Sequence, residues 1–268
     1  MESACFRRVP ARMCAVFPVR TRCVGEMKKL LIEKTGSAEN AREFAYRTLK
    51  KNILNFVLVP GDRMSEAAAA DALGASRTPV HDAFARLAEE GLLCVVPQKG
   101  TMVSGIDADR VRQTVFMRSQ LGVAVCETLC TTGISDELLF RAQACVNRQY
   151  FLLGARSFAE LAEADDAFHS LLFEASGYDL VWRTLEAVSA DVQRVCVLAG
   201  QDSRFWEDRT HMLAALLDAL QKRSAERLCE TARAHLSQPA GILPRLVKKH
   251  EELFYTLDDS RRLLLEDG

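Results

Sequence analysis

Hydrophobic residues return along this chain at helical spacing almost throughout, with one short interruption of strand-like pattern near residue 100. From 41 to 56, Phe44, Ala45, Leu49, Ile53 and Phe56 recur at mostly three- and four-residue steps, the stripe of an amphipathic helix that Pro60-Gly61-Asp62 ends. Ser65 can cap a second helix through Ala72, since its hydroxyl accepts from first-turn N–H groups that have no intrahelical acceptor, and Gly74 supplies the turn. Ser76 starts a third helix that tolerates Pro79 in its first turn, buries Val80, Phe84 and Leu87, and closes at Gly91. Leu92 to Val96 then reads as a strand, Pro97-Gln98-Lys99-Gly100 as a turn and Thr101 to Ser104 as the returning strand. Three helices followed by such a hairpin are a winged helix-turn-helix.

After Gly105-Ile106-Asp107 the strand signals stop. Helices are predicted near 107–131, 135–153, 157–176, 178–199, 203–222, 224–237 and 242–255, with breaks at Thr132-Gly133, Gly154, Ser176-Gly177, Gly200 and Pro239 to Gly241. The expected fold is mainly α: an N-terminal winged helix-turn-helix and a C-terminal all-helical bundle of about six or seven helices. Residues 1–38 show no sustained period, contain Pro10 and Pro18, and read as a disordered extension. Met27-Lys28-Lys29-Leu30-Leu31 looks like a natural beginning, so a start assigned too far upstream is an alternative for that stretch. The expected divisions are then the extension at 1–38, a DNA-binding domain at 39–105, a helical domain at 106–256 and a tail at 257–268.

Charge adds an asymmetry to this picture. The net charge of -1 is made of +4 over residues 1–39, +1 over 40–104 and -6 over 105–268. A nucleic-acid partner at the N-terminal end is compatible with this, although +1 is a faint footprint. No stretch approaches the roughly 20 apolar residues of a membrane span, and no secretory leader is visible, so a cytoplasmic protein without membrane contact is expected. Nine cysteines without a CxxC pair point to reduced thiols rather than a zinc ribbon.

The start of the third helix carries the first candidate chemistry. A helix entering the major groove presents its first residues to base edges, where Arg77 can grip guanine with two hydrogen bonds and Thr78 suits a phosphate. Alone, Ser76-Arg77-Thr78-Pro79 could be no more than a helix cap with an exposed arginine. The surrounding residues reduce that ambiguity. Pro60-Gly61-Asp62-Arg63-Met64-Ser65-Glu66, Leu73 to Val80, Leu87-Ala88-Glu89-Glu90-Gly91-Leu92-Leu93 and Lys99-Gly100 closely resemble the DNA-binding domain of the GntR family, in order over about 65 residues. The resemblance implies that Arg77 and Thr78 touch an operator and that Gly100 lies at the wing tip. Ser76, His81 and Lys99 complete the candidate contacts. Two positions depart from the family pattern: His81 and Ala67 stand where members often carry arginine.

In the helical part, Phe158, Leu161, Asp165, Phe168 and Leu172 follow steps of 3, 4, 3 and 4, so Asp165 sits in an apolar seam with His169 one turn on. A buried carboxylate needs a partner or a metal, and aspartate with histidine at that spacing can supply two ligands. His235 faces inward beside Leu228, Ala232 and Leu236, whereas His211 falls away from the stripe of Trp206, Leu213, Leu217 and Leu220. The spacing alone leaves satisfied core or surface histidines open. Asp165-Asp166-Ala167-Phe168-His169, Thr210-His211 and Ala234-His235-Leu236 look like the FCD-type ligand-binding domain of the FadR subfamily, which implies Asp165, His169, His211 and His235 as ligands of a divalent metal, zinc or nickel by donor type.

Arg118 also lies on a seam, with Val111, Val115, Gly122, Val125 and Leu129. It reads either as half of an internal salt bridge with a glutamate or, as the resemblance suggests, as a clamp on an effector carboxylate. Tyr178 and Gly122 depart from the family here, which often has Asn and Glu. Taken together these features imply a homodimeric, metabolite-responsive repressor that reads a palindromic operator on double-stranded DNA and binds a small organic acid. The alternatives are a regulator that senses the metal itself and a metal-dependent hydrolase; no general base accompanies the ligands, so no enzyme is expected.

Overall fold

The computed structural model describes residues 30–32, 39–96, 100–202 and 204–255. The apolar stripe predicted at 41–56 becomes α1 (Ala41–Leu54), whose N-cap Asn40 accepts from the backbone N–H groups of Arg42 and Glu43. β1 (Arg63–Met64) follows, then α2 (Glu66–Leu73) and α3 (Arg77–Glu89), with Gly74 in the left-handed region at φ 62° between them. α1 and α2 both pack on α3, and Leu49, Ile53, Val80, Phe84 and Leu87 close the core between them. The hairpin of β2 (Leu93–Val96) and β3 (Gly100–Val103) pairs antiparallel with Leu93 opposite Val103, and β1 joins the other edge of β3 to give the order β1-β3-β2. β1 did not show in the sequence, because two residues carry no period.

Leu30 to Ile32 belong to the stretch read as a disordered extension, yet Leu30 is buried. The fully buried Asn52 side chain brackets Leu31, accepting from its N–H at 2.8 Å and donating to its carbonyl at 2.9 Å. The rest of that extension, the Met27 start and the tail at 257–268 lie outside the described residues.

The chain divides into two units, one of residues 1–108 with 250–268 and the other of 109–249. Short β4 (Ile106–Asp107) pairs in parallel with β5 (Phe254–Tyr255), which brings residues 254–255 back to the first unit. A helix predicted at 242–255 therefore ends earlier, at Lys249, and a single 3-10 turn at Glu251–Leu253 leads into β5.

The second unit is helical: α4 (Ala108–Thr132), α5 (Asp136–Ala155), α6 (Phe158–Ala175), α7 (Asp179–Val188), α8 (Ala190–Asp202), α9 (Phe205–Gln221) and α10 (Ala225–Lys249). Its core gathers Leu129, Val146, Phe168, Leu172, Trp182, Leu217 and Ala232, among others, from six of these helices. One break is added and two expected ones are absent. The helix expected over 178–199 is two, divided at Ser189, whose hydroxyl bonds back to the Leu185 carbonyl. Gly200 does not end α8; a Cβ there would overlap the Trp206 ring and Phe158, so its role is close approach. α10 runs through Pro239 and Pro244, which a sequence reading takes as helix breakers.

Candidate functional site

Ser76, Arg77 and Thr78 are all exposed at the start of α3. Ser76 occupies the N-cap with extended backbone at φ -73° and ψ 166°, but its hydroxyl makes no capping bond, so the expected cap is positional only. The first-turn N–H groups of α3 are thus left for another acceptor, the arrangement that suits a phosphate. His81, one turn on, has its Nδ1 3.0 Å from Glu66 Oε1 of α2. Gly100 begins β3 exposed, with φ at 83°, a conformation that an L side chain strains to adopt. Lys99 lies outside the described residues.

The second cluster is buried. Asp165 and His169 project from α6 and His235 from α10, with one ligand-type atom from each lying within 4.8 Å of the others. His211 is not brought to them. It is exposed on α9 with its ring 6.3 Å from that of Tyr150, while its neighbours Arg209 and Thr210 point inward.

Asp165 is instead paired with Arg209 of α9. Arg209 Nε and Nη2 donate to the two carboxylate oxygens of Asp165 at 3.1 and 2.5 Å, and the other side of the same carboxylate meets His235 Nε2 at 3.0 Å. Arg209 Nη1 donates to the His235 carbonyl at 2.8 Å. That carbonyl would bond the N–H four residues on in an unbroken helix, but residue 239 is proline and has none. Pro239 thus releases the acceptor that Arg209 uses. The guanidinium is legible in retrospect: Trp206, Arg209, Leu213, Leu216 and Leu220 share the buried side of α9 at steps of 3, 4, 3 and 4.

The protonation states follow from these contacts. Burial alone would raise Asp165, but Arg209, then His235 and His169, more than offset it and hold the carboxyl well below its usual range. Burial pushes His169 well down despite the nearby Asp165, and burial with the Arg209 charge lowers His235, so both imidazoles are neutral at pH 7. His169 Nε2 and His235 Nδ1 are buried without a hydrogen-bond partner. Unsatisfied imidazole nitrogens beside a carboxylate are the donor set a divalent metal uses, so these three residues fit one.

Arg118 is buried on α4 and pairs with Asp166 at 2.5 Å, while Ser189 Oγ lies 3.0 Å from its Nη1. Asp166, one residue beyond the metal candidate, also accepts from Gln193 at 2.6 Å. The internal partner of Arg118 is therefore an aspartate, not the glutamate a sequence reading would look for. Both arginines, both aspartates, Gln193 and Trp206 line one small pocket of this unit. Gly122, a departure from the family pattern, packs so that a Cβ would overlap Leu236 Cδ1, which leaves a glutamate no room without displacing α10 side chains. Tyr178 is the exposed N-cap of α7.

No helix among the described residues is long and apolar enough to cross a membrane. Residues 41–103 match the family of bacterial regulatory proteins, gntR family, and residues 113–238 match the FCD domain. The HTH-type transcriptional repressor RspR of Escherichia coli (strain K12) is 27% identical over 209 residues, 78% of this chain and 91% of its own length. An HTH-type regulator from an unstable DNA locus of Streptomyces ambofaciens is 28% identical over 229 residues, 83% of this chain and 93% of its own. The E. coli McbR/YncC structure has the same fold, with a TM-score of 0.66 at 18% identity over 77% of this chain and 98% of that one. The exposed helix start of a winged helix-turn-helix and the all-helical unit that follows it therefore place this chain in the GntR family, as a DNA-binding transcriptional regulator with an FCD domain.

Proposed function

We propose that this regulator is a repressor that binds a palindromic operator as a homodimer and releases it in response to a small organic acid. The observation that carries the DNA-reading half is the bare start of α3, with Ser76, Arg77 and Thr78 exposed and no capping bond spending the first N–H groups. Two such helices about one DNA turn apart would read two half-sites. The relative named as a repressor is consistent with the direction of the response.

The effector half rests on the pocket of the helical unit. Arg118 there is held by Asp166, and an incoming carboxylate would compete with that aspartate for the guanidinium. Asp165, His169 and His235 would hold a divalent metal, zinc or nickel by donor type, which would supply a second fixed positive charge for the acid. His211 enters this reading only if the helix carrying it turns, since it lies outside the group. An effector changes DNA affinity only by its differential affinity for two arrangements of the protein, so operator release and acid binding must be coupled in both directions.

A gel shift on DNA from the protein's own promoter region tests the first half: a discrete complex lost on Arg77→Ala supports it, and no complex overturns it. Metal bound after incubation with excess zinc tests the second. Asp165→Ala and His169→Ala should lose metal that the native chain takes up, and undiminished metal would remove these residues from the site.

A further inference from the structure

The three metal donors share their carboxylate with a cation that belongs to the protein. Arg209 is buried, bonds both oxygens of Asp165, and has two further acceptors, the His235 carbonyl and Gln238 Oε1 at 3.3 Å. The carbonyl is free for it because Pro239 cannot donate. A guanidinium with four acceptors in a buried site is a fixed part of the architecture, and its charge already balances Asp165. The neighbouring pair, Arg118 with Asp166, is balanced as well. Two imidazoles then remain to receive an ion whose two positive charges nothing in the cluster neutralises. Like charges a few ångströms apart repel more strongly in a poorly solvated pocket than on a surface.

We propose that Arg209 is a resident competitor of the divalent ion, a residue that sets the metal affinity of the Asp165, His169 and His235 group low. The inference rests on the reading of that group as a metal site. It makes the domain's metal occupancy conditional: an ion enters readily only when an anion brings negative charge with it or when the guanidinium is removed.

The test is isothermal titration of the full-length native chain, Arg209→Gln and Arg209→Lys with zinc alone and with nickel alone, with folding followed by circular dichroism. Gln removes the charge but can still donate to the His235 carbonyl; Lys keeps a charge. The expected result is weak binding by the native chain and by Arg209→Lys, and binding tighter by roughly tenfold or more in Arg209→Gln, as loss of a nearby like charge requires. That gain should vanish in Arg209→Gln with His169→Ala. Tight binding by the native chain that Arg209→Gln leaves unchanged and His169→Ala abolishes would overturn the competitor while keeping the metal site. No binding by any folded variant would overturn both. If Arg209→Gln does not fold, Arg209→Lys decides: tighter binding than the native chain, with a longer and more mobile charge still present, would contradict the proposal.

Discussion

The two units of this regulator arrange their functional side chains in opposite ways. The DNA-reading unit puts Ser76, Arg77 and Thr78 on the surface, within one turn of one helix, and leaves their polar groups unspent. The helical unit buries Asp165, His169, Arg209 and His235 where three helices meet and satisfies its charges internally. The contrast follows from the ligands proposed for each unit. A duplex is too large to be enclosed, so its contacts must be exposed and contribute little to folding. A small anion or an ion is held by enclosure, so its contacts are also core residues, and removing one disturbs the fold as well as the site.

Asp165→Ala should therefore give the largest effect. It leaves Arg209 buried with its main counter-charge gone, a loss of about 3–5 kcal/mol of the helical unit's stability. Both tryptophans, Trp182 and Trp206, lie in that unit and report its unfolding by fluorescence in a urea titration. A variant as stable as the native chain would show that Arg209 finds another partner and that the cluster is not integral to the core.

The buried imidazoles sharpen the same point through pH. His169 and His235 are both held below their usual values by burial, so the unfolded chain binds protons more readily than the folded one as pH falls past about 6.5. Stability must then rise with pH in that window and fall on acidification, by up to about 1.4 kcal/mol per pH unit for each histidine. The depressed Asp165 adds a loss of the same sign only in the lower range where carboxylates protonate. Urea midpoints between pH 7.5 and 5.5, with EDTA present to keep metal out of the balance, should decline for the native chain and decline less for His169→Gln. Equal slopes would mean that His169 is solvated.

How much of this was legible follows the same division. The winged unit reads locally: the 41–56 stripe, Ser65, Gly74, Ser76 and the hairpin are all seen within a few residues of where the sequence puts them, because caps and turns act over short spans. In the helical unit the seams of Asp165 and Arg118 were visible for the same reason. Arg209 shares a buried seam with Trp206 and Leu213, so its burial is legible from the same spacing, whereas its partner Asp165 on another helix is not. What the pattern could not supply was pairing across helices. Nothing local says that Pro239 leaves α10 continuous, since that depends on a guanidinium from α9 taking up the freed carbonyl. Gly200 and Gly122 likewise mark close approaches of other elements rather than breaks or lost ligands.

On the DNA side the effects on binding should be real and those on folding small. Arg77→Ala is expected to weaken operator binding by about 1–3 kcal/mol and to leave the urea midpoint unchanged within about 0.5 kcal/mol, because an exposed side chain at a helix start supports little else. Fluorescence anisotropy with labelled operator over a range of salt distinguishes the roles. A loss confined to one base position marks a base contact, whereas a uniform loss with a shallower salt dependence marks a phosphate contact.

His81 should give the smallest change, and the reason lies in its neighbour. Its ring is tied back to Glu66 of α2, and both side chains are roughly half exposed, 48% and 40%, so the pair is screened and worth a fraction of a kcal/mol. A ring committed to α2 is poorly placed to carry a groove contact of its own. His81→Ala is accordingly expected to change stability by less than about 0.5 kcal/mol and operator affinity by less than Arg77→Ala does. His81→Arg restores the side chain that the family pattern often has there, and Glu66 can pair with it in the same way. If His81→Ala weakened operator binding as much as Arg77→Ala, the Glu66 contact would have to open on DNA, and the recognition surface would extend one turn further along α3 than its exposed start.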